Sequence, residues 1–174
     1  AKPAAILIVA SGTPGVLPQA TLVERGYQGK FYQTTGIVNK DFVRVGGKAV
    51  EGTLVAGAPM TVASLLPDSH PAAKEAKAFE KSYEAVYGAG SVSAFAGYAW
   101  DAALIAQYAL GEAAKKAKPG TKEFRAAIRD AIESGKNIAT TAGPVNMTVD
   151  DHNGYSPSAP VMITIKDGKW TIEK

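Results

Sequence analysis

Cysteine is absent from all 174 residues and histidine occurs only twice. The first absence removes a disulfide framework, Cys-ligated zinc and thiol nucleophiles together. The second leaves His70, beside Pro71, and His152, within Asp150-Asp151-His152-Asn153-Gly154, both at turn-forming residues. That acidic stretch offers oxygen and nitrogen ligands, but it lacks the alternating donors and closing Glu of a calcium loop and reads as a polar turn. Long hydrophobic runs are missing too. The longest purely apolar run is Ala4 to Ala10, far short of the roughly 18 residues that span a bilayer, so no direct membrane insertion is expected. Concentrated positive charge is also lacking: the net charge is +3 and the lysines are scattered, so no nucleic acid partner is expected. No Gly-Lys-Ser/Thr phosphate loop and no Gly-x-Ser-x-Gly elbow occurs, and Gly12-Thr13-Pro14-Gly15 is unlike the dinucleotide fingerprint. No cofactor is therefore implied. Trp100-Asp101 brings a lone carboxylate without a second acid, a base or metal-ligand spacing, so a structural hydrogen bond is the better reading and no enzyme is expected.

What is there has the rhythm of an α/β chain. Ala4 to Ala10 reads as a doubly buried parallel strand stopped by Ser11-Gly12-Thr13-Pro14-Gly15. Leu17 to Arg25 reads as a helix with Gly26 just past its end, Lys30 to Thr34 as a second strand, and Asn39 to Val45 as a short helix closed by Gly46-Gly47. Val50 to Ala58 reads as a third strand stopped by Pro59. From Pro71 to Ser134 the period becomes helical: Phe79, Tyr83, Val86 and Tyr87 mark one helix, Phe95 to Ala114 a long apolar one, and Phe124 to Ile132 a third. Val161 to Ile165 and Trp170 to Ile172 flank Asp167-Gly168, the signature of a tight hairpin. Three strands ahead of three helices leave apolar surface around Trp100 and Tyr108 without an obvious partner, so the chain is expected to be incomplete.

Two strand ends and one helix start carry the candidate binding residues. Ser11, Gly12 and Thr13 follow the first strand, where Thr13 can cap a helix while Pro14 or Pro18 fills its first turn; a ligand anion against free backbone N–H groups is the competing use. Thr34 and Thr35 close the second strand, and two hydroxyl-bearing strand ends side by side make one polar wall of a small-molecule cleft. Phe95 and Tyr98, one turn apart, are either core packing or the aromatic wall of that cleft.

The order of these segments resembles the periplasmic Leu/Ile/Val-binding proteins of ABC transporters, the type I solute-binding fold. The likeness rests on Ala5 to Thr13, on Leu22 to Gly29 ahead of a strand, and on Asp41-Phe42 through Gly46-Gly47 with Glu51-Gly52-Thr53. It continues through Phe95 to Ala102, Pro119-Gly120-Thr121 before Phe124-Arg125, and Asp151-His152-Asn153-Gly154 before the closing hairpin. The resemblance implies two α/β lobes, each a three-layer parallel sheet, that close like a Venus flytrap on a solute. Family members are about twice as long, so this chain would be the C-terminal half and incomplete. Residues 1–60 and 140–174 would belong to the second lobe, and 61–139 would supply crossing segments and helices of the first, with crossings near Met60 to Pro67 and Gly135 to Pro144. Ser11 falls where amino-acid binders carry an aromatic side wall, Thr35 where they carry the acid that takes the ligand ammonium, and Phe95 on an aromatic packed against the ligand side chain. The implied function is capture of an amino acid or organic acid for an ABC transporter membrane permease in the periplasm, after removal of a signal peptide not in this chain. A ligand-sensing domain of a regulator or receptor with the same fold is the alternative.

Overall fold

A computed structural model describes residues 2–57 and 59–173. Five strands, β1 (Ala5–Ile8), β2 (Lys30–Gln33), β3 (Leu54–Ala56), β4 (Met162–Lys166) and β5 (Lys169–Ile172), form one sheet in the order β1-β2-β3-β4-β5. The pairings β1·β2 and β2·β3 are parallel, as two successive β-α-β steps require, and β3·β4 and β4·β5 are antiparallel. The parallel sheet expected from the β-α-β-α-β rhythm is thus extended by the C-terminal hairpin, whose Asp167 (φ 52°) and Gly168 (φ 70°) are both left-handed, as a two-residue turn of this kind demands. Glu51 accepts from the N–H groups of both turn residues, at 3.1 and 2.7 Å, and so fastens the hairpin to the loop before β3.

Two expectations change. β1 is not doubly buried: Leu7 is 65% and Val9 77% exposed, while Ile8 is buried. β1 is an edge strand paired only with β2, and its outer face meets no covering layer among the described residues. The third strand is shorter than the run Val50 to Ala58, because Gly47–Val50 is a 3₁₀ turn and β3 starts only at Leu54; Ala58 lies outside the described residues.

α1 (Val16–Glu24) connects β1 to β2, and α2 (Lys40–Gly46) lies between β2 and β3. The apolar Leu17 and Val23 of α1 are exposed, and its fully buried residue is Gln19. Its amide donates to the Ala49 carbonyl (2.9 Å) and the Thr53 hydroxyl (2.7 Å), and its carbonyl accepts from the Gln33 amide (2.9 Å). Period counting assigns polar residues outward, but a buried amide is stable when its donors and acceptor are used in this way. α2 is capped by Asn39, which accepts from Phe42 N–H at 2.9 Å, and Phe42 stacks on Trp170 of β5 at 6.3 Å.

The helical stretch holds α3 (Ala73–Tyr87), α4 (Ala94–Ala114) and α5 (Lys122–Ser134). Ala113 of α4 packs on Phe124 and Ala127 of α5, and Phe79 of α3 touches Trp100 at 5.4 Å. A 3₁₀ segment, Pro59–Leu65, leads from β3 to these helices. Its Met60 lies so close to α4 that a Cβ on Gly97 would fall 2.4 Å from the Met60 Cγ, so only glycine fits there. Through Met60 and Val62 one apolar cluster runs from Val55 and Ile163 of the sheet to Phe79 and Ala94 of the helices.

Candidate ligand-binding site

Parallel strands place their C-terminal ends at one edge of the sheet, and the loops that follow line a crevice there. The ends of β1 and β2 are tied together: the Thr34 hydroxyl donates to the Ala10 carbonyl (2.9 Å) and Gly12 N–H to the Gly36 carbonyl (2.8 Å). Thr34 therefore spends its proton on the scaffold and keeps only lone pairs for a ligand. Thr13 does not cap α1, contrary to expectation. It starts a 3₁₀ turn, Thr13–Gly15, preceded by Gly12 at φ 63° and ψ −156°, and no side chain accepts from that turn or from the start of α1. The reason is local: with Pro14 in the 3₁₀ turn, α1 begins only at Val16, beyond the reach of the Thr13 hydroxyl.

α4 brings its N-terminus to the same place. Ser93 caps it, accepting from Ala96 N–H at 3.2 Å, and Ala94 N–H donates to the Val38 carbonyl at 3.1 Å, which fastens the helix start to the segment after β2. Gly12, Thr13 and Phe95 thus share a cavity of about 400 Å³ with Asn39, Lys40, Asp41, Ser91 and Ser93. The Phe95 ring is 52% exposed, so the core-packing reading does not hold for it. Tyr98, one turn on, is half-buried; a Cβ on Gly57 would lie 2.9 Å from the Thr35 methyl and 3.9 Å from the Tyr98 hydroxyl, which puts Thr35, Gly57 and Tyr98 side by side. Ser11 is exposed and faces Gly36. The structure brings together Gly12, Thr13 and Phe95 in one cavity and Thr35 with Tyr98 around Gly57, while Ser11 and Thr34 stand at the joined strand ends.

Sequence reasoning missed Lys40 and Ser91, which line this cavity. Lys40 starts a helix and Ser91 lies in a loop, where no periodic signal acts. Asp101 is 1% exposed and its two carboxylate oxygens accept from Thr141 N–H (2.6 Å) and Ala142 N–H (3.1 Å), the structural hydrogen bond expected of it. Burial raises its carboxyl above the ordinary range, against the lowering effect of the bonds from Thr140, Thr141 and Ala142. Burial first, then the neighbouring charges of Asp101 and Tyr98, pushes the Tyr155 phenol up to about 12. His152 contacts Glu133 at 3.1 Å on the surface, and Asp151 accepts from Asn153 N–H, so the acidic turn is internally bonded. Among the described residues no group of three or more acidic or imidazole side chains is placed to hold a metal, and no helix is long and apolar enough to cross a membrane.

No protein-family model matches the chain, and no curated protein matches it. Solved structures do. An extracellular ligand-binding receptor from Rhodopseudomonas palustris is 43% identical with a TM-score of 0.94, over 99% of this chain and 48% of that one. A second, from strain HaA2, is 42% identical with the same TM-score and coverage. A leucine-binding protein, LivK, from Thermotoga maritima shares the fold at 24% identity and a TM-score of 0.72, over 99% of this chain and 44% of that one. The chain thus spans about half the length of the receptors it matches.

Proposed function

The chain belongs to the extracellular ligand-binding receptors, and from that premise we propose that it is a periplasmic binding protein of the branched-chain amino acid type, the solute-capturing part of an ABC transporter system. It takes up an amino acid or a related small organic acid in a cleft between two lobes, holds it by hinge closure in the periplasm and delivers it to a membrane permease without turnover. One observation carries this reading: the segments that follow β1 and β2, Gly12-Thr13 and Asn39 to Asp41, and the start of α4 line one cavity in which a half-exposed aromatic ring stands. An apolar ring left half in water at a crevice is the usual wall of a small-molecule site. The same reading assigns β1–β5 to one lobe and α3–α5 to the other, joined through Pro59–Leu65 and the stretch around Ile138 and Val145. It supplies a partner for the apolar stripe that Phe95, Ala99, Ala102, Ala106 and Leu110 leave exposed along α4. The test is to purify the protein from its native host, release its small molecules and identify them by mass spectrometry, then add each back. Stabilisation in a thermal melt with no product formed supports a carrier, and steady product formation overturns it.

A further inference from the structure

His70 stands where the sheet is joined to the helices, after the Pro59–Leu65 segment and before α3. Its Nδ1 accepts from the N–H of Ala72, the fully buried residue just ahead of α3, at 3.1 Å. An accepting Nδ1 carries no proton, so the hydrogen of the neutral ring is on Nε2. That nitrogen is buried and turned toward the carbonyl of Ala159. Ala159 is itself fully buried, and a Cβ on Gly143 would fall 2.3 Å from its methyl. Gly143 closes the turn whose Thr141 and Ala142 N–H groups are held by Asp101 of α4. One imidazole therefore links the connection that leaves the sheet to the one that returns to it.

We propose that His70 is a proton-controlled tie at the joint between the two lobes: neutral, it holds the leaving connection against the returning one, and on taking a proton at Nδ1 it lets go of Ala72 and loosens the joint. That these connections are the joint rests on the carrier reading. A hydrogen on Nδ1 would point at the Ala72 N–H, which would lose its acceptor inside the protein, and a positive ring there would meet the positive end of the 15-residue α3. On the stretches around the ring, residues 59–80, 138–145 and 155–160, the other ionisable groups are Asp68, bound to Lys77 at 2.6 Å, Lys74 and Glu75, 3.9 Å apart, Glu80, bonded to Ser64, and Tyr155, whose phenol is pushed up to about 12. The largest influence on the ring is burial, which holds it below its ordinary value of 6.5, and the Ala159 carbonyl offsets part of that. A histidine lowered in this way gives stability that is full above the unfolded value and is lost as pH falls toward the folded one.

The test is a titration of the 174-residue chain from about pH 8 to about pH 4.5, followed by the NMR shifts of the imidazole nitrogens and the backbone amides. The expected result is a neutral ring with its hydrogen on Nε2, a His70 midpoint below 6.5, and amides of Ala72, Ala159 and Gly143 that move with that same midpoint. His70→Asn, whose side-chain oxygen can still accept from Ala72 N–H but takes no proton, should hold those three amides still, and His152→Gln should leave their titration unchanged. Urea midpoints should show the parent losing stability relative to His70→Asn as pH falls from about 7.5 to about 5. A hydrogen on Nδ1 in the neutral ring, a midpoint at or above 6.5, amide shifts confined to Ala72, or the same shifts in His70→Asn overturns the proposal. The parent titration decides it even if His70→Asn does not fold. None of these outcomes touches the carrier reading, which fails separately, if the protein purified from its host releases no small molecule and none stabilises it.

Discussion

Phe95 and Thr35 are where single side chains decide most. A ring already half in water loses little burial on truncation, so Phe95→Ala is expected to change ligand-free stability by under about 1 kcal/mol, against the roughly 3–5 kcal/mol typical of a core phenylalanine such as the fully buried Phe42. The loss should appear in binding, at about 1–3 kcal/mol, from the apolar area the ligand no longer covers. Chemical denaturation with and without ligand, set beside calorimetry, checks both halves; a large loss of ligand-free stability with unchanged affinity would remove Phe95 from the site. Thr35 stands beside Tyr98 and Gly57 and offers a hydroxyl where the resemblance puts an acid in amino-acid binders. Thr35→Glu is expected to improve binding of α-amino acids and weaken that of simple carboxylates, because it adds a counter-charge for ammonium and a repulsion for carboxylate. Paired titrations with leucine and 4-methylpentanoate read the change. Residue types at strand ends were legible in the sequence because loops after parallel strands face the crevice. Whether Phe95 was wall or core was not, since a helix start has the same composition in either case.

At the scale of elements, α4 is set by three attachments: Ser93 at its start, Gly97 against Met60, and Asp101 against the turn at Thr141. The last is the strongest, two charge-assisted bonds in a buried place. Asp101→Asn keeps the size but presents an NH₂ to one of the two backbone donors, and is expected to cost about 1–3 kcal/mol. The loss should depend on pH. A carboxyl whose folded pKa lies above its unfolded value of about 3.9 gives stability that is fully present below that value and fades as pH rises through the higher folded value. The deficit of Asp101→Asn relative to the parent should therefore be larger at pH 3.5 than at pH 7, as urea midpoints at the two pH values will show. The helices α3, α4 and α5, the short α2 and the closing hairpin follow their sequence signals closely, since caps, periodicity and an Asp-Gly turn act within a few residues. α1 did not, because its inner face is held by Gln19 bonding to residues 30 or more positions away, which no local period encodes.

For the whole molecule, the consequence lies in what is left uncovered. Among the described residues β1 presents an unpaired edge with Leu7 and Val9 in water, Leu17 of α1 is exposed, and α4 exposes Phe95 and Leu110. An open apolar edge of this kind drives pairing between chains. The 174-residue chain is expected to associate at micromolar concentration, with a light-scattering mass that falls on dilution. Leu7→Lys together with Val9→Lys, which charges the edge, should shift it toward monomer. A monomer that persists at high concentration with the edge unaltered would mean that these faces are too small or too twisted to pair.

The sequence by itself determined the α/β class, the order and near-ends of most elements, and the absence of thiol chemistry. These depend on composition and on interactions reaching a few positions along the chain. Only the tertiary structure decided that β1 is an edge, that Gln19 is core, that Thr13 does not cap, and that Lys40 and Ser91 face the same cavity as Phe95. Each depends on which distant segment lies opposite: a strand is an edge only if nothing pairs with its other side, and an amide is core only if distant groups meet its donors and acceptor.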